Sequence, residues 1–346
     1  MGIFALIFRS DFFKNDKKIF LLTIVVIYGR ITYISHEVLN MNDVRNEPII
    51  EYDTPAYIPR KRRFGDRKDG RRLRNLPAMT AVVPFIMQTR NDAMNMFEDT
   101  IDITNVEKYL DEKHRQGYTD MTILHVILAA YVRVVSERPA LNRFVAGQRI
   151  YAANEINCVM TIKKEMSLES PDTCIKVTFD PRDNIYNVYK KFRAEVKKAI
   201  SETTGFDDTA GFLTKLPRFI FRGAMAFLRF LDYHGWLPAA LQRISPFHGS
   251  MIITSMGSLG IPAIYHHLYN FGTLPLFISY GSIFTADAIK RDGTRERHHF
   301  VSFRVVTDER ICDGYYYASA FKRLKRYMLH PELLDKSPET VTEDID

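Results

Sequence analysis

The chain has 346 residues, 46% of them hydrophobic and 26% charged, the composition of a globular protein able to bury a core of its own. Its 24 Phe and 18 Tyr, and the lack of repeats, exclude disordered, collagen-like and coiled-coil classes. Three scattered cysteines with no CxxC pair exclude a zinc ribbon and a dense disulfide framework, and fit a reducing, cytoplasmic compartment. The net charge of +7 is local: residues 60–74 hold nine basic and two acidic side chains, leaving 39 against 39 elsewhere. That stretch reads either as a polyanion contact or as a solvated arm laid across a neighbouring subunit. No RNP pattern or helix-turn-helix accompanies it, so no specific nucleic-acid partner is expected.

In chain order, residues 1–40 come first. Ile19–Tyr28 is apolar but rises only about 15 Å as a helix, half of a hydrocarbon core. No small-residue cleavage site follows it. Residues 1–40 therefore read as an N-terminal extension from a mis-assigned start, with a membrane anchor as the alternative. Residues 41–75 read as an extended basic arm, and residues 76–340 as one globular domain.

Within that domain Thr104 reads as the N-cap of a helix with Glu107 completing a capping box. Residues 122–137 have helical apolar spacing and stop before Pro139. Residues 150–164 and 174–179 alternate like strands, and 185–201 is an amphipathic helix. An insertion, about residues 205–248, carries Arg218, Arg222 and Arg229 among Phe and Leu, the composition of a basic amphipathic helix. It is read as membrane-touching, as framing an acyl tunnel, or as packed on its own core or on a neighbour. Residues 251–254, 276–280 and 299–306 are strand-like, and 314–328 closes with a helix. The fold class is α/β (α+β): a two-layer mixed sheet with helices on one face.

Several motifs, in order over residues 76–335, resemble the catalytic domain of 2-oxoacid dehydrogenase E2 acyltransferases and of chloramphenicol acetyltransferases. Asp308-Glu-Arg-Ile-Cys-Asp313-Gly314 resembles DHRxxDG. Ile253-Thr-Ser-Met-Gly257 resembles ISNLG, Arg138–Asn142 resembles HPELN, and His330–Leu334 resembles DPELL. The pattern is similar to stand-alone bacterial E2-like proteins, with no lipoyl domain before the catalytic region. The resemblance implies a chloramphenicol acetyltransferase-like fold, a homotrimer with sites between subunits, and coenzyme A or acyl-CoA as substrate. No metal is expected.

In those families a neutral histidine takes the proton of a thiol or hydroxyl, which then attacks an acyl carbonyl. Here that position is Glu309. The resemblance makes Thr254 the oxyanion donor and Asp313 the loop aspartate, with Arg90 as a partner for Asp313. Arg310 and Gly314 support the site, and Ser255 and Ser258 are candidate coenzyme A contacts. A glutamate normally titrates near 4.3, low for a base at pH 7, and a pair with Arg310 would lower it further. Three readings stay open: Glu309 is the base; His266 or His267 substitutes; or the site binds a ligand or partner without acyl transfer. Adjacent residues on a strand face opposite ways, so His266 and His267 are not expected to share a metal, nor are His298 and His299. Cys312 is read as packing. The Phe- and Leu-rich insertion suggests an apolar acyl acceptor and, as a second possibility, peripheral membrane contact.

Overall fold

The computed structural model describes residues 60–163, 172–201, 217–289 and 293–346, with positions 50, 52, 211, 214 and 215. The readings for residues 1–40, and for part of the insertion, lie outside the described residues. The centre is a six-stranded mixed sheet in the order β2 (Met94–Asp102), β9 (Arg295–Asp308), β8 (Leu276–Ile289), β7 (Met251–Ser255), β5 (Ile156–Lys163), β6 (Asp172–Phe179). The β8–β7 and β7–β5 pairs are parallel; the other pairs are antiparallel.

One face of this sheet is packed by helices α2 (Thr104–Arg115), α3 (Ile123–Glu137), α4 (Ile185–Ser201) and α7 (Gly314–Leu329), as the mixed-sheet reading expects. Helix α3 is the keystone. Its side chains from Leu124 to Ser136 are all buried, and it touches α4 and α7. Each such Leu, Ile or Val contributes about 1.5–3 kcal/mol by burial. Its first turn carries a capping box in which Thr122 and His125 satisfy each other's backbone. The cap expected at Thr104 differs: Thr104 is the first helical residue, and Asp102 Oδ1 accepts from its N–H at 2.9 Å. Glu107 instead pairs with His299.

A smaller antiparallel sheet is formed by β1 (Gly70–Arg72), β4 (Arg149–Ala153) and β3 (Arg143–Ala146). The basic stretch therefore does not extend away from the body. Arg60 and Arg63 pair with the C-terminal Glu343 and Asp346, and Arg71 with Asp346. Arg67 is buried between Asp69 and Asp232. Three of the nine basic side chains that suggested a polyanion contact are met by the chain's own acidic tail, and Arg67 and Arg74 by other acids.

The described part of the insertion forms α5 (Arg218–Tyr233) and α6 (Ala239–Ile244), with a small apolar cluster of their own centred on Ala224, Leu231, Leu237 and Leu241. Lys176 of β6 turns away from the main helix layer, and its Nζ donates to the Gln242 and Ser245 carbonyls at 2.7 and 3.3 Å. The insertion thus covers the reverse face of the sheet at its β6 end.

Candidate active site

Strand β9 ends in Asp308, whose side chain is fully buried. Its carboxylate forms a two-pronged pair with Arg310, Nε–Oδ1 and Nη2–Oδ2 both 2.7 Å, and lies 3.4 Å from Arg90 Nε. Arg310 also donates to the Met87 and Gln88 carbonyls. Arg90 donates to those of Tyr269, Val145 and Gly272. Burial pushes the Arg90 pKa down, with Asp308 opposing and Arg310 adding to the fall. This corrects the expected partnership of Arg90: it meets Asp308, not Asp313. Asp313 is exposed and serves as N-cap of α7, its Oδ1 accepting from Tyr316 N–H at 2.8 Å.

The residue between Asp308 and Arg310 is locked by this network. Glu309 N–H donates to the Ala93 carbonyl at 2.9 Å, and its Oε2 accepts from Asn95 Nδ2 at 2.8 Å. Arg310 is committed to Asp308 and makes no pair with Glu309, so the condition under which it would lower the glutamate's pKa is not met. Asn95 belongs to the wall of a cleft of about 450 Å³ between α7 and strands β2, β8 and β9. Phe97, Ile278, Phe303, Val305, Tyr317 and Phe321 make its wall mostly apolar. Gly314, the first residue of α7, also lines it, and the Lys325–Asp99 pair at 2.9 Å closes one rim. Asn95 and the cleft were missed in the sequence. Both depend on the pairing of β2 with β9, which no local pattern specifies.

Thr254 is elsewhere. It lies in a cross-strand row with Ser279, Arg304 and Glu98, whereas Ile253, Ile278, Val305 and Phe97 form the neighbouring row that faces the helices. Thr254 therefore sits on the reverse face, and its hydroxyl has no hydrogen-bond partner among the described residues. One chain does not bring Thr254 and Glu309 together. Ser255 has the opposite parity to Thr254, and Ser258 donates to the Ser255 carbonyl at 3.0 Å from the turn that follows. The glycine of that turn, Gly257, is required by close approach: a Cβ there would meet the Gly281 carbonyl at 2.7 Å.

His266 and His267 are not on a strand. Residues 261–269 form an irregular strap over the reverse face, so the argument that the two rings point to opposite faces fails. The rings stack at 4.6 Å, and His266 also lies flat on Phe277 at 4.4 Å. His266 Nδ1 is hydrogen-bonded to the His267 carbonyl at 2.8 Å. His298 and His299 are on β9 and take different acids, Asp102 with Glu296 and Glu107 respectively. Among the described residues no cluster of three or more His, Cys, Asp or Glu could hold a metal ion. Burial pushes the Cys312 thiol up to about 12, which suits the packing role read for it.

No protein-family model and no curated protein matches the chain. Among solved structures it is similar to a probable dihydrolipoamide acetyltransferase from Listeria monocytogenes, with 16% identity, TM-score 0.47, and coverage of 77% of this chain and 95% of that one. It is similar to a truncated catalytic core of the 2-oxoacid dehydrogenase complex from Thermoplasma acidophilum at 12% identity and TM-score 0.45, covering 75% and 99% of the two chains. A chloramphenicol acetyltransferase matches at 11% identity and TM-score 0.43, covering 73% and 96%. These are the families that the motifs resemble.

Proposed function

We propose that this protein is a coenzyme A-dependent acyltransferase of the E2 and chloramphenicol acetyltransferase type, with Glu309 as proton acceptor and an apolar acyl group as cargo. One observation carries the reading: the buried Asp308–Arg310 pair holds residue 309 next to Asn95, and Asn95 lines an apolar cleft. Such a cleft, mostly apolar with a few polar groups in its wall, is the usual form of a small-molecule site. The Glu309 carboxylate takes the proton of the acceptor's hydroxyl or thiol. The freed nucleophile bonds to the thioester carbonyl carbon. A Thr254 hydroxyl donates to the resulting oxyanion, which collapses, breaks the C–S bond and expels the coenzyme A thiolate. That thiolate recovers the proton from Glu309.

Thr254 and Glu309 lie on opposite faces, so a complete site takes Thr254 from a second copy. A homotrimer with shared sites meets that need. The apolar side chains exposed around Thr254, Leu259, Ile261, Ile264 and Tyr265, offer the contact surface. Ser255 and Ser258 remain proposed coenzyme A contacts. The same opposition of faces favours a second reading, a trimer that binds coenzyme A or a partner without transfer.

The test is thiol release from acyl-CoA of graded chain length, followed with Ellman's reagent over a panel of acceptors. Turnover that rises with chain length supports the proposal. Coenzyme A binding with no turnover for any acceptor supports the second reading.

A further inference from the structure

Helix α5 has two faces of different character. Ala224 and Leu231, with Ile220, Phe227 and Leu228, pack inward on Leu237, Leu241 and Ile244. Its one carboxylate, Asp232, also turns inward, to Arg67 Nη2 at 2.8 Å and His248 Nε2 at 3.2 Å. That anchor fixes which face is left outward. The outward face carries Arg218, Arg222 and Arg229 with Phe219 and Phe230, and Trp236 follows directly after Gly235, three residues past the helix end. Phe219 is 71% exposed and Trp236 60%.

None of the three arginines makes an ion pair among the described residues, and no acid of α5 faces outward with them. In contrast, Arg60, Arg63, Arg67 and Arg71 of the other basic stretch are matched to acids. Phe230, His234 and Trp236 form an aromatic group at one end, His234 tilted on Phe230 at 4.5 Å and stacked on Trp236 at 4.9 Å, while Phe219 stands at the other end. The helix is about 24 Å long, so the aromatics bracket a cationic stripe over that span.

We infer that this face of α5 docks flat on an anionic phospholipid surface. Phe219, Phe230 and Trp236 enter the boundary between headgroups and acyl chains, where amphipathic rings are favoured. The three guanidinium groups meet lipid phosphates, which their planar forks match in pairs of hydrogen bonds. No helix of the described residues is long and apolar enough to cross a membrane, so the contact is one of lying on the surface. Lipid is favoured over nucleic acid because large exposed rings stand at both ends of the stripe. The inference is independent of the acyl-transfer reading.

Trp236 is the one tryptophan of the chain, which gives a direct probe. The full chain is mixed with vesicles of phosphatidylcholine alone, or of phosphatidylcholine and phosphatidylglycerol in equal parts. Flotation and Trp236 emission are then read. The expected result is binding to the anionic vesicles only, weakened by salt, with a blue shift of Trp236 and its protection from an aqueous quencher. The triple variant R218Q/R222Q/R229Q, whose changes are all outward-facing, loses at least tenfold in affinity. The pair F219S/W236S loses binding with the fold, checked by circular dichroism, retained. Binding unchanged in the triple variant places the contact in another segment and overturns the inference. So do an unshifted Trp236, tighter binding to single-stranded RNA than to anionic vesicles, or self-association as the sole event.

Discussion

The two faces of the central sheet carry the two halves of the proposed chemistry. On the helix side Glu309 is gripped by a buried charge network, Arg90–Asp308–Arg310, and by Asn95 on a cleft wall. On the reverse side Thr254 has an uncommitted hydroxyl, near an irregular strap with exposed Ile261, Ile264 and Tyr265. One half is rigid and electrostatically closed; the other is open and apolar. Strand parity is the cause, since side chains alternate across a sheet and one residue of offset changes the face. The lesson is that motifs adjacent in a family pattern need not meet within one chain.

The largest effect expected from breaking the rigid half comes from Asp308→Asn or Arg310→Ala. Each leaves a buried charge without its partner, at a cost of about 3–5 kcal/mol. Urea denaturation measures it. A loss under 1 kcal/mol would show that the network does not hold residue 309. The open half responds differently. Thr254→Val removes a hydroxyl that makes no hydrogen bond among the described residues, so stability changes little. Turnover falls by the value of one oxyanion donor, about 2.7–4 kcal/mol or a hundred- to thousandfold. Equal loss in stability and turnover would erase the distinction between the faces.

A pH scan sharpens the comparison by separating titration of the fold from titration of the site. Burial holds the His125 imidazole down at about 4, against an ordinary 6.5. Its folded pKa lies below its unfolded one, so its stabilisation is full above about pH 6.5. It is lost as pH falls from there towards 4, and amounts to about 3 kcal/mol across the window. Denaturation midpoints at pH 7.5 and 5 check this, and His125→Gln flattens the difference. Activity is then compared between variants above that window, where His125 does not titrate. The smallest effect is steric. Ala318 of α7 lines the cleft, so Ala318→Trp fills it and costs about tenfold on long acyl-CoA substrates while sparing short ones, which a hydrophobic pocket's discrimination allows. Uniform loss across chain lengths would remove the cleft from the acyl site.

Local features were legible in the sequence. The helix over residues 123–137 showed in its spacing and its stop before Pro139. Asp313-Gly314 showed as the start of α7, where the short range of a cap makes it visible. What escaped depended on partners far along the chain. Arg90 was read against Asp313, whereas 218 residues of sequence separate it from the Asp308 it meets in the core. Asn95 gave no signal, because β2 alternates weakly and only its register with β9 turns Asn95 to the cleft. The strand alternation expected at His266 and His267 fails because Pro262 and the lack of a ladder leave them on a strap where their rings can stack. The basic stretch at 60–74 looked free because its counter-charges, Glu343 and Asp346, stand at the other end of the chain.

The central claim is that the carboxylate at position 309 accepts the proton in acyl transfer. Single-turnover thiol release from a long-chain acyl-CoA, compared among the native protein, Glu309→Gln and Glu309→His, tests it most directly. The account predicts a loss of about 10²–10⁴-fold for Glu309→Gln, the contribution of a general base, and retained transfer for Glu309→His, which restores an imidazole at the same place. Equal rates for the native protein and Glu309→Gln would contradict it.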